Sequence, residues 1–146
     1  MTEETPHPIR LNQVWFVRSV VVAVPGHQPR EGLAPTVPEN RIDVSEVEGQ
    51  PWHYEATMRT TINLNMDRVF PYMIHMECVA MLTADSSLGK DDALSGVTIS
   101  AHSVLYGAIR EAVAWLTGRQ PYGPLLLGLS VLKAPPQTTP ASPAMP

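Results

Sequence analysis

The chain has 146 residues, 44% apolar and only 16% charged, with a formal net charge of −4. That length fits one domain with a modest core, and sparse charge points to self-association as cover for apolar surface. A net negative balance argues against nucleic acid as the main partner, one cysteine (Cys78) excludes an intrachain disulfide or a cysteine metal cluster, and no run is apolar enough for insertion into a membrane.

The N-terminus, MTEETPHPIR, is acidic and lacks the apolar centre of a secretion signal, so the cytoplasm is expected and residues 1–12 read as a flexible arm. From Val14 to Val24 the chain is rich in β-branched and aromatic residues and ends at Pro25-Gly26, a strand followed by a turn. Residues 25–39 hold four prolines and two glycines and read as a loop. Ile42 and Val44 then alternate with polar residues in a short, exposed strand.

In WHYEATMRTTINLNM the even positions from Trp52 to Met66 are mostly apolar and the odd ones, His53 to Asn65, polar. A period of two over this length predicts a long strand with one wet face. Met66-Asp67-Arg68 reads as a turn, and VFPYMIHMECVAML returns as the next strand. Pro71 inside it predicts an edge position or a bulge, because proline cannot donate to a ladder.

TADSSLGKDDALSG reads as a polar loop, and a helix is expected to start near Ser100 to Ser103. Its apolar stripe is Leu105, Ile109, Ala112, Val113 and Leu116, with Gly118 expected as a left-handed C-cap. LLLGLSVL follows as an apolar extension, and residues 134–146, APPQTTPASPAMP, are too rich in proline to pack and read as a disordered tail. The order of elements, four strands and one long helix in a domain spanning 13–133, predicts an α+β fold.

Catalytic patterns are absent. His75-Met76-Glu77-Cys78 supplies half of a zinc deaminase signature, but the other half needs two more cysteines. On a strand His75 and Glu77 share a face and read as a solvated pair with Cys78 buried behind them. The five histidines are scattered, no phosphate-cradling Gly-rich loop or Gly-x-Ser-x-Gly elbow occurs, and Arg110-Glu111, adjacent on a helix, do not face one another. Neither an enzyme nor a cofactor or metal site is expected.

LYGAIREAVAWLTGR resembles the long helix of the SecB family of ATP-independent chaperones, with Leu105, Tyr106, Arg110, Glu111 and Gly118 on the family pattern. YEATMRTTI is similar to the family's central strand through Tyr54, Glu55, Arg59 and Thr61, and Val69-Phe70 opens the next strand as the family's does. The C-terminal PLLLGLSV and the proline tail are most similar to the SecB-like chaperones that accompany toxin–antitoxin pairs. The resemblance spans roughly residues 9–132. It implies a four-stranded antiparallel sheet packed against a long C-terminal helix. It further implies a homotetramer built as a dimer of dimers, and an ATP-independent holdase. Its clients would be unfolded or nascent polypeptides, either an antitoxin or exported proteins.

The export chaperone engages the SecA motor partly through acidic residues on the outer sheet face. Alignment of the strands puts Ser19 and Ala23 at two acidic positions and Met73 where the family has Glu, which argues against SecA as a partner.

Apolar groove candidates for client binding are Trp15, Val17, Trp52, Met73, Tyr122, Leu125 and Leu127. By alternation Trp15, Val17 and Met73 oppose the faces of Phe16, Tyr72 and Ile74. Trp52 and Tyr122, beside prolines, either line a groove or anchor loops. The methionines of the two central strands suit an adaptable surface or simply fill the core. Ala108, Ala112 and Trp115 are either subunit-interface residues or monomer core. A competing reading keeps the SecB fold as a scaffold for one specific folded partner.

Overall fold

A computed structural model describes residues 3, 5–32 and 37–132. Strands β1 (Ile9–Ala23), β2 (Glu39–Glu46), β3 (His53–Ile62) and β4 (Tyr72–Ala84) precede one helix, α1 (Lys90–Thr117). The strands form an antiparallel sheet in the order β1-β4-β3-β2, and α1 covers one face. This is the α+β arrangement expected from the sequence. The expected tail, 134–146, lies outside the described residues.

The period-two pattern of β3 works as read. Tyr54, Ala56, Met58, Thr60 and Ile62 point under the helix, and β4 answers with Tyr72, Ile74, Met76, Cys78, Ala80, Leu82 and Ala84. From α1 come Ala93, Val97, Ala101, Leu105, Ile109, Val113 and Thr117, one residue in every four. Each fully buried side chain of Leu, Ile or Met size contributes about 1.5–3 kcal/mol, so this layer is the main source of stability. Met58 and Met76 are wholly inside it, as core rather than adaptable surface. Among the described residues the two buried polar ones are paired: Thr60 Oγ1 donates to Asn40 Oδ1 at 2.6 Å and Thr117 Oγ1 to the Val113 carbonyl at 2.6 Å.

Several boundaries differ from the sequence expectations. The arm is shorter than residues 1–12, because Ile9 already pairs with Ala84 and is buried beside Gly96. β3 stops at Ile62, so Leu64 and Met66 lie in the turn, where Asn63 and Met66 take positive φ of 51° and 59°. Pro71 sits just before β4, which is a central strand and no edge; its carbonyl accepts from Val24 N at 2.8 Å.

The helix starts at Lys90, ten residues before the expected Ser100. Gly89 is its N-cap, and no side chain caps it. Small residues suit these early turns because the helix lies close to β1: a Cβ on Gly96 would stand 3.3 Å from Ile9 Cδ1. At the other end Gly118 is right-handed (φ −61°), and the positive φ of 81° falls at Gly123 instead.

β1 carries two register shifts, between Leu11 and Gln13 and between Phe16 and Arg18. A bulge leaves one residue unpaired and resets which side chains share a face. Asn12 and Val17 are those residues here. Ser19 and Ala23 therefore pair with the buried Met76 and Tyr72 on the helix side. They are not on the outer face, where the alignment had placed them.

Candidate functional site

Beyond α1 a short turn brings the chain to Gly123 and then back along the helix. Every hydrogen bond tying residues 125–130 to other described residues runs through a side chain. Thr117 Oγ1 accepts from Leu125 N at 2.8 Å, Arg110 Nε donates to the Leu127 carbonyl at 2.9 Å, and Tyr106 Oη donates to the Gly128 carbonyl at 2.6 Å. His102 Nε2 lies 3.2 Å from Ser130 Oγ, and Asn40 Nδ2 reaches the same oxygen at 3.4 Å. His102, Tyr106 and Arg110 are spaced by four and so occupy one helical row. Tyr72 Oη fixes the start of this strap by donating to the Gly123 carbonyl at 2.5 Å.

A groove of about 680 Å³ opens beside the strap. Strap residues 125–131 and Tyr106 line it together with Ile62 at the end of β3, Val37 and Pro38 before β2, and Asn40 at the start of β2. Among the described residues no charged one lines it. Leu127 is only 4% exposed and joins the core, whereas Leu126, Leu129 and Val131 are 77%, 87% and 83% exposed. These three exposed side chains and the groove beside them are apolar surface open to a partner.

The predicted residues divide among several places. Leu125 and Leu127 line this groove. Tyr122 lies outside it, donating to the Val24 carbonyl at 2.7 Å and meeting His27 and Tyr72 edge-on, so it anchors loops. Trp52 is at the other end of β2, half-buried with φ 68° under the Lys90 ammonium, 4.1 Å from its ring centre. Lys90 also reaches Glu46 at 2.8 Å and holds that carboxyl below its ordinary range.

Trp15 and Met73 lie on the outer sheet face, opposite Val79 and Val22, and Val17 is at a bulge. These seven residues do not form one groove. Val37, Ile62, Tyr106, Leu126, Leu129 and Val131 were not singled out as groove residues by sequence reasoning. For the strap residues, the unbroken apolar run LLLGLSV was the available signal.

Ala108, Ala112 and Trp115 do come together. With Phe16, Ser19, Glu111 and Leu116 they line a second groove of about 460 Å³ between α1 and β1. Ala108 and Ala112 are half-buried, Trp115 is exposed, and the Arg119 guanidinium lies 4.8 Å from its ring centre.

The outer face is polar at its middle. Arg18, Glu77, Arg59 and Arg41 form one cross-strand row, with Glu77 3.8 Å from Arg59. His75 and Glu77 share this face, while Cys78 is fully buried behind them, its thiol pushed up to about 11 by burial. Among the described residues no group of three His, Cys, Asp or Glu side chains could hold a metal ion. No described helix is long and apolar enough to cross a membrane.

No protein-family model and no curated protein matches the chain. Solved structures do. The SecB-like chaperone Rv1957 of Mycobacterium tuberculosis, in complex with a ChAD peptide from the Rv1956 HigA1 antitoxin, superposes with a TM-score of 0.62 at 16% identity, over 84% of this chain and 91% of that one. A protein of unknown function from Streptococcus agalactiae gives 0.55 at 12% identity, over 83% and 97%. The fold is SecB-like, as the resemblance implied.

Proposed function

We propose that this protein is an ATP-independent holdase that keeps unfolded or aggregation-prone polypeptide in the apolar groove beside the strap. The observation that carries the reading is that groove itself: about 680 Å³ without a charged lining residue among those described, next to a helical row that already binds main-chain carbonyls. Apolar lining and main-chain contacts hold an extended segment with little regard to its sequence, as a holdase requires. Three or four side chains buried at about 1.5–3 kcal/mol each are enough for micromolar retention after ordering costs.

The client we propose is an antitoxin or a similar aggregation-prone protein, because a structure of the same fold is of a chaperone holding an antitoxin peptide. SecA is left out of the proposed partners. The middle row of the outer face sets three arginines against one glutamate, so a basic motor tail finds no attraction there. A cytoplasmic homotetramer completes the reading, with Ala108, Ala112 and Trp115 in a subunit contact that covers the second groove.

The test is light scattering of a chemically unfolded, aggregation-prone protein without nucleotide. Suppression near one client per oligomer is expected. Unchanged aggregation, with the protein folded and oligomeric, would contradict the holdase and favour a scaffold for one folded partner.

A further inference from the structure

The strap is itself an extended peptide lying against the helix. Its side of α1 supplies Arg110 Nε to the Leu127 carbonyl, Tyr106 Oη to the Gly128 carbonyl, and His102 beside Ser130 Oγ. Two of these three contacts read main-chain atoms, which every peptide has. The strap also holds weakly for its length: one of its large apolar side chains, Leu127, is fully inserted, and Leu126, Leu129 and Val131 remain in water. By comparison, the strands are tied by backbone ladders, continuous for β2–β3 and β3–β4 and broken only by the two bulges in β1.

We propose that the row His102–Tyr106–Arg110 is a binding site for an extended, uncharged apolar segment of another polypeptide, and that residues 125–131 occupy it as a stand-in until such a segment displaces them. The inference rests on the holdase reading for the identity of the incoming chain, but the site is defined by the strap alone. The occupant must be extended, because carbonyls must meet donors at successive turns of one helix. It must be apolar, because it replaces Leu125 and Leu127 against the core. It must be uncharged where it lies in the groove, because no described lining side chain offers a counter-charge and Arg110, in the row beside it, is taken up by a main-chain carbonyl; a desolvated charge without a partner is unfavourable. Exchange also accounts for the three exposed apolar side chains: once released, the strap can fold them over the client it admitted.

The test places a nitroxide at Leu129→Cys, an exposed strap position. The native Cys78 is fully buried with its thiol pushed up to about 11, so it stays unlabelled. In the free protein the label broadens the magnetic resonance signals of His102, Tyr106 and Arg110. Reduced, carboxymethylated α-lactalbumin is then added as client. In a separate sample the synthetic peptide Pro124–Leu132 is added.

Loss of the broadening with either probe is the expected result. Broadening that persists while the client is bound overturns displacement and leaves the holdase reading intact. If the client does not bind, the peptide decides. Relief by the peptide keeps the row as a site for extended chain while the holdase reading falls, and persistence overturns both.

Discussion

Helix α1 carries two rows of side chains, one residue apart and each with a spacing of four. The first, from Ala93 through Leu105 and Ile109 to Thr117, is dry and locked against β3 and β4. The second, His102, Tyr106 and Arg110, is polar at its tips and grips a stretch of main chain. The dry row depends on shape, so it tolerates little change and holds the fold. The polar row depends on donors meeting carbonyls, which under the proposed exchange lets it accept different chains. A rotation of one residue on the same helix separates the row that packs the core from the row proposed to bind client.

The largest loss is expected at the dry row. Ile109→Ala is expected to lose about 2–5 kcal/mol in urea unfolding, since Ile109 is fully buried and the sheet cannot close over the space. Leu127→Ala, at the seam between the rows, is expected to lose about 2 kcal/mol, the low end of that range, because a strap can settle where a sheet cannot. The same variant should bind unfolded client at least as well as the parent. A loss equal to that of Ile109→Ala, with weakened binding, would merge the strap with the core.

Tyr106→Phe removes the bond to the Gly128 carbonyl and is expected to lower stability by about 1 kcal/mol. At the far end of β2, Glu46→Gln tests a pair outside both rows. The Lys90 contact holds the Glu46 carboxyl below its ordinary range, so its contribution is present above that range and lost as pH falls through the depressed value. The small difference in urea midpoint between parent and variant should therefore shrink on acidification.

The smallest effect on stability belongs to the exposed strap positions. Leu126→Ser with Leu129→Ser should change stability by no more than about 0.5 kcal/mol. The amount of protein needed to suppress aggregation should nevertheless rise severalfold, which separates holding the fold from holding the client within a single variant.

How much of this was legible before the structure depends on the range of the forces involved. β3 was readable because one wet and one dry face write themselves into alternate residues from Tyr54 to Ile62. The core half of α1 was readable through Leu105, Ile109 and Val113. Its first ten residues were not, because close packing on β1 favours Ala93 and Gly96, which carry little hydrophobic signal. The β1 bulges at Asn12 and Val17 leave no mark in composition, yet the second reverses the alternation after Phe16 and puts Ser19 and Ala23 on the helix side.

The groove was legible only as an apolar run. Its walls come from residues as distant as Asn40 and Ser130, joined by contacts between side chains that no local period encodes. Leu125 and Leu127, which line the groove, stand out as candidates because they belong to that run. Val37 and Ile62 were missed because only the folded sheet brings them beside it.

The most direct measurement is a titration of isotopically labelled protein with reduced, carboxymethylated α-lactalbumin, followed residue by residue in solution. The largest signal changes are expected on Ile62, Tyr106 and residues 125–131. Changes concentrated instead on the outer sheet face, at Trp15 and Met73, with the groove unperturbed, would contradict it.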